Sequence, residues 1–265
     1  MRPQCKNPIE IRGRTIGGDV PLICLPLVSK EREDLLRQAR LARASPPDLF
    51  EWRVDAFEHA GGIDRGLEAL RALRTAIEPY PLLFTCRIRE EGGMVSLLRQ
   101  MRLDLITSAL ATGLVDLVDI EMANDHAFLN AVLRAATEFD VKVMLSSHDF
   151  HNTPSEDVIV NTLIQAEDTG ADIAKVAVMP SSIRDVLTLF KATLKARTEH
   201  LHIPMVTIAM GDEGRITRLA GGLFGSDITF ARGEEASASG QIAIKELRQA
   251  LPLMHPELLQ RDHLS

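Results

Sequence analysis

At 265 residues, 45% hydrophobic and 25% charged, the chain has the makeup of a globular protein with a sizeable core. Thirty basic against 37 acidic side chains leave a net charge of −7, which argues against broad binding to nucleic acid or anionic membranes. Aromatics at 4% argue against a stacking platform for single strands, and 17 Gly and 13 Pro exclude collagen-like and low-complexity classes.

The N-terminal residues 1–8 are polar, and the first apolar run, 21–28, is too short to span a bilayer and lacks signal-peptide flanks. Residues 9–18 alternate about Gly13 and are predicted as a small hairpin. Short apolar runs then recur at 22–27, 49–54, 82–88, 117–120, 142–146, 173–178, 205–209 and 228–231. Between them lie amphipathic stretches at 31–44, 67–77, 97–111, 127–139, 158–168, 182–197 and 241–250. Gly113 and Gly170 sit where helices should stop. Strand alternating with helix implies parallel strands with helical crossovers. Eight such units predict one (β/α)8 barrel domain over 1–265, with the hairpin closing its N-terminal end. A doubly wound sheet lacks support, because no GxGxxG or GxxxxGK motif follows a strand.

Cys5, Cys24 and Cys86 are odd in number and widely spaced, so neither a disulfide framework nor a zinc-thiolate site is expected. A reducing, cytoplasmic compartment fits them, and no HExxH or His-rich spacing suggests a metal.

Charges interrupt the apolar runs at their C-terminal ends. Glu51 and Arg53 share one strand face, Arg87 ends a run, Asp119 and Glu121 share a face, His148 closes another run, and Lys175 sits inside Ile-Ala-Lys-Val-Ala-Val. Both faces of a parallel barrel strand are normally apolar, so these charges must pair with each other or meet a ligand. Their place is the C-terminal mouth, where barrel enzymes carry their chemistry. Each also has a plainer explanation. Glu51 and Arg53 can form a structural ion pair, Asp119 and Glu121 read as positioning charges, and His148 can be a satisfied core histidine. Cys24 and Cys86 read as small core fillers. Lys175 is the hardest to explain structurally, since desolvation among apolar neighbours favours a nucleophilic amine, and the chemistry of such an amine is imine formation with a ketone or aldehyde.

Six motifs run in order from residue 51 to 241. They are Glu51-Trp-Arg53-Val-Asp55; Thr85-Cys-Arg87 with Glu91-Gly92-Gly93; Ser146-Ser-His148-Asp-Phe150; Lys175-Val-Ala-Val-Met179-Pro180; Met210-Gly with Arg218-Leu-Ala-Gly; and Phe224-Gly-Ser226 with Ser237-Ala-Ser-Gly-Gln241. The set resembles type I 3-dehydroquinate dehydratase, the Schiff-base dehydroquinase of the shikimate pathway. The resemblance implies a (β/α)8 barrel that removes water from 3-dehydroquinate, with no cofactor and no metal. It implies Lys175 as the imine-forming amine, His148 as the general acid and base, and Glu91, rather than Glu90, as the carboxylate orienting His148. Arg218 would take the substrate carboxylate, Glu51, Arg53 and Arg87 its hydroxyls, and Ser237 and Gln241 would belong to a lid. A homodimer acting on a small molecule is implied, with no nucleic-acid or membrane partner.

Two departures stand out. Ser239 precedes Gly240 where the family often has Pro, and Pro26 occupies the first barrel strand near the mouth. No further catalytic domain is expected after residue 251. The rival readings are a class I aldolase or transaldolase, which calls for a phosphate cradle at the last two strands, and a binding module, which should have lost Lys175 or His148.

Overall fold

A computed structural model describes residues 2–58, 61–234 and 238–258. Strands β1 (Ile9–Ile11) and β2 (Arg14–Ile16) form an antiparallel hairpin. Eight parallel strands follow: β3 (Leu22–Leu27), β4 (Leu49–Arg53), β5 (Leu82–Thr85), β6 (Leu117–Glu121), β7 (Lys142–Asp149), β8 (Ile173–Val178), β9 (Met205–Ala209) and β10 (Ile228–Phe230). They pair in the order β10-β3-β4-β5-β6-β7-β8-β9. Helices α1 (Arg32–Leu41), α2 (Ile63–Ile77), α3 (Arg99–Leu110), α4 (His126–Glu138), α5 (Glu156–Asp168), α6 (Ile183–Lys195), α7 (Arg215–Phe224) and α8 (Ile244–Met254) each follow one strand. The chain is therefore the expected (β/α)8 barrel with an N-terminal hairpin. Helix α7 fills the one crossover for which the sequence offered no named amphipathic stretch. No helix among the described residues is long and apolar enough to cross a membrane.

Strand alternation divides the core in two. Outward residues such as Phe50, Trp52, Phe84 and Val118 pack under the helices. Inward residues Leu22, Cys24, Leu49, Leu83, Leu117, Met144, Ile173, Val206 and Ile228 fill the lower barrel, with Ile11 and Ile16 of the hairpin packed against them. Arg12 ties the hairpin to Asp116 at 2.6 Å, so the hairpin closes the N-terminal end.

Four aspartates fix the strand starts. Asp48, Asp116, Asp172 and Asp227 each stand immediately before a strand, β4, β6, β8 and β10 in turn. Each carboxylate accepts the backbone N–H near the start of the preceding strand, from Ile23, Leu82, Val143 and Met205, at 2.7–2.8 Å. In each case the residue three further on is Glu51, Asp119, Lys175 or Phe230, and all four point inward above the apolar floor. One local device thus sets the register of every second strand and the height of four mouth residues.

Strands β9 and β10 share no ladder, and Asp227 joins them instead. Its N–H donates to Met205 O at 2.7 Å, its carbonyl accepts from Leu22 N at 2.9 Å, and its carboxylate takes Arg197 at 2.5 Å and Arg2. Asp227→Ala is expected to strand two buried arginines, costing about 3–5 kcal/mol. Urea unfolding measures it, and a loss under about 1 kcal/mol would contradict this role.

Candidate active site

The C-terminal mouth holds a cavity of about 100 Å³, lined by Glu51, Arg53, Arg87, Glu91, His148, Lys175, Arg218 and Gln241 together with Phe150, Met210 and Phe230. Every site residue expected from sequence meets here except Ser237, which lies outside the described residues. A larger hollow of about 450 Å³ at the opposite end is lined by Arg14, Asp48 and Arg248. Asp48 is already engaged there by Ile23 N–H and by Arg248 at 3.1 Å, so among the described residues that hollow offers no unpaired carboxylate.

Lys175 is 5% exposed. Its Nζ donates to Asp119 Oδ2 at 2.8 Å and lies 4.6 Å from the centre of the Phe230 ring. A buried ammonium needs such partners. Arg87 donates to Asp119 through both terminal nitrogens, at 3.0 and 2.7 Å, and to Glu121 and Ser146 Oγ at 2.8 Å. Glu121 also takes Arg102. Burial raises the Asp119 carboxyl, but Arg87 and then Lys175 outweigh it and hold it well below the usual range. Arg87 is thus chiefly the centre of a buried ionic network, although it borders the cavity.

His148 sits on β7, which runs two residues past Ser147 because its pairing with β8 continues through Asp149 opposite Val178. Glu91 Oε2 accepts both the His148 backbone N–H at 2.9 Å and ring Nδ1 at 2.8 Å. Glu90 is exposed and Glu91 buried, so Glu91 is the one of the two that contacts the ring. The carboxylate therefore fixes the Nδ1–H tautomer, assigned from this pattern, and leaves Nε2 as the acceptor toward the cavity. Burial pushes Glu91 up to about 7, helped by Glu121. Burial, Arg87 and Lys175 push His148 well below the ordinary imidazole value. At neutral pH the imidazole is a neutral base.

Arg53 is held by Asp55 through paired bonds of 2.8 Å and by the Gly92 carbonyl at 3.1 Å. Glu51 accepts from Thr85 Oγ1 at 2.8 Å. Arg218 differs from both. Its donors go to the carbonyls of Gly240, Phe230 and Ser239 at 3.1–3.2 Å, and no carboxylate among the described residues pairs with it. Burial alone lowers it to about 10. The segment around Ser239 is fastened to the β9–α7 turn, because Gly211 N–H donates to Ser239 Oγ at 3.1 Å. A side chain at Gly240, whose φ is +73°, would meet Gly211 O at 2.1 Å, so only glycine fits that closure. Gln241 is buried, and its Oε1 accepts from Ala238 N at 3.3 Å.

Sequence reasoning assigned no role to Ser146, Asp55, Phe230 or Met210. Ser146 and Asp55 stood within the quoted motifs, and inward alternation could have pointed to Phe230. Phe224-Gly225-Ser226 lies at the barrel's N-terminal end. There Ser226 Oγ accepts from Thr207 N at 3.1 Å and the Gly225 carbonyl from Arg197 at 3.2 Å. No phosphate cradle stands at the mouth among the described residues.

Fold and site together define a (β/α)8 barrel whose polar C-terminal cavity joins a buried amine to a carboxylate-held imidazole. The chain belongs to the type I 3-dehydroquinase family, whose model matches residues 23–257. A 3-dehydroquinate dehydratase of Bacillus subtilis is 40% identical over 249 residues, 94% of this chain and 98% of that one. The crystal structure of 3-dehydroquinate dehydratase from Geobacillus kaustophilus matches with a TM-score of 0.92 and 42% identity, covering 94% of this chain and 97% of that one. The type I enzyme of Clostridium difficile, whose structure carries covalently modified comenic acid, matches with a TM-score of 0.92 at 38% identity over 95% and 99% of the two chains.

Proposed function

We propose that the chain is a 3-dehydroquinate dehydratase, a hydro-lyase of the shikimate pathway, working through an imine on Lys175. The observation that carries this is the pairing, in one cavity, of a buried lysine with a histidine whose free Nε2 faces the same space. The amine attacks the C3 ketone of the substrate. Nζ gives up one proton to attack and the carbinolamine takes one back to expel water, so condensation from the ammonium releases one water with no net proton uptake and leaves a protonated imine. This electron sink makes the C2 proton removable, and His148 Nε2 takes it. The electron pair then expels the C1 hydroxyl, which leaves as water with the proton from His148. Water hydrolyses the product imine, returning the amine and 3-dehydroshikimate. One imidazole serves both proton transfers because the elimination is syn, and Glu91 keeps its ring in one orientation.

Arg218 is the cation for the substrate carboxylate, since it has no anionic partner among the described residues. Glu51 and Arg53, with Arg87 at the border, receive the ring hydroxyls. Ser237 and Gln241 close the lid. The family assignment also suggests a cytoplasmic homodimer.

Gln241→Ala is expected to raise KM by about 2- to 10-fold with little change in kcat, the loss of roughly one hydrogen bond. An unchanged KM in steady-state kinetics would remove Gln241 from binding. The overall reading is tested by adding 3-dehydroquinate and following the ultraviolet absorbance of the conjugated enone. A flat trace rejects it.

A further inference from the structure

We propose that Asp119 is a positioning residue for the reaction: it holds the nitrogen of Lys175 toward the cavity and keeps the imine formed there protonated. This rests on the assignment of Lys175 as the imine-forming amine.

Among the described residues, Asp119 is the one carboxylate within ion-pair distance of Nζ. The other candidates are engaged elsewhere. Glu51 accepts from Thr85, Glu91 from His148, and Glu121 from Arg87 and Arg102. The carboxylate itself is fully buried and fixed on both oxygens. Oδ1 accepts from Ser146 Oγ at 2.5 Å and Arg87 Nη1 at 3.0 Å, and Oδ2 from Arg87 Nη2 at 2.7 Å and Nζ at 2.8 Å. The strand register supports this placement, since Thr85 stands beside Asp119 and Ser146 beside Lys175.

An ammonium has three N–H groups and a protonated imine keeps one. A fixed acceptor on one side of Nζ therefore serves both states, holding the surviving N–H while the carbon side faces the substrate. Its charge favours the protonated imine, the form that can draw electrons. An unshared carboxylate at this distance would also damp that electron demand. Arg87, bound to both oxygens, takes up part of the charge, so the imine stays both protonated and electrophilic. The remaining titratable or charged groups around this nitrogen are Cys24 on β3, Glu51 and Arg53 on β4, Arg87 after β5, Glu91, Glu121 on β6, His148 on β7 and Arg218 on α7. Arg87, Arg53 and Arg218 all favour loss of the proton, so the carboxylate is needed against them.

The test is borohydride trapping with 3-dehydroquinate as a function of pH, read by mass spectrometry, in the wild-type protein, Asp119→Asn and Ser146→Ala. Borohydride reduces the protonated imine. In Asp119→Asn the adduct should still map to Lys175, but the alkaline midpoint for trapping should fall by about 1 to 3 on the pH scale. At pH values above the wild-type midpoint, kcat in Asp119→Asn should lie about tenfold below wild type for each pH unit by which the midpoint has fallen. Ser146→Ala, which removes one bond to Asp119 and no charge, should move the midpoint in the opposite direction or not at all, because it leaves the carboxylate less stabilised and more basic. Trapping in Asp119→Asn with the wild-type pH dependence overturns the proposal. So does an adduct reduced equally at every pH, the signature of a merely structural role. Should the asparagine variant fail to fold, Asp119→Glu decides: an unshifted midpoint with lowered kcat supports positioning, and unchanged kcat overturns it. Absence of any adduct on wild-type Lys175 is a different result, and it fails the assignment of Lys175 itself.

Discussion

Replacing Lys175 with alanine is expected to abolish turnover of 3-dehydroquinate. Every later step depends on the imine, so the loss should exceed the roughly 10,000-fold upper range of a single acid–base group. The variant also removes a buried cation from Asp119, leaving that carboxylate with Arg87 and Ser146. Those remaining partners keep the anion satisfied, so the variant should still fold cooperatively. Kinetics on folded protein, with circular dichroism as the control, check both statements. Measurable turnover above about one ten-thousandth of wild type would mean that Lys175 is not the nucleophile.

His148→Ala is expected to lower kcat by about 100- to 10,000-fold while leaving imine formation on Lys175 possible. The imidazole handles the C2 proton and the departing hydroxyl, and no other imidazole borders the cavity among the described residues. The pH profile carries the same argument. Glu91, pushed up to about 7 by burial and Glu121, loses its acceptor charge as pH falls through that value. Below it the Nδ1–H contact weakens and the His148 base is no longer held, so wild-type kcat should fall on the acid side of about pH 7. Removing His148 should remove that limb. A near-normal kcat in the variant, or an acid limb that survives in it, would take His148 out of the mechanism.

The barrel and most of its site were legible because strand alternation forces a choice on every charge. Arg53, Asp119 and Lys175 stand on the inward faces of otherwise apolar strands, and only a polar mouth can accommodate them. Other features were hidden for particular reasons. Helix α7 carries Gly221 and Gly222 in its C-terminal half, which weakens the helical signal. A side chain at Gly222 would come within 2.6 Å of His255 and 2.8 Å of Pro21, so packing demands the residue that propensity disfavours. The aspartates before β4, β6, β8 and β10 look like ordinary turn residues, because their partners lie on a different strand. The bonding of Asp119 was equally out of reach. Its contacts with Arg87, Ser146 and Lys175 depend on the relative stagger of β5, β6, β7 and β8, which no local pattern encodes.

The most direct test of the central claim is mass spectrometry of the wild-type protein after incubation with 3-dehydroquinate and sodium borohydride, with peptides mapped. The account expects one reduced adduct per chain, on Lys175, formed only when both reagents are present. Conversion of the substrate at full rate with no adduct on Lys175, or an adduct on another lysine, would contradict it.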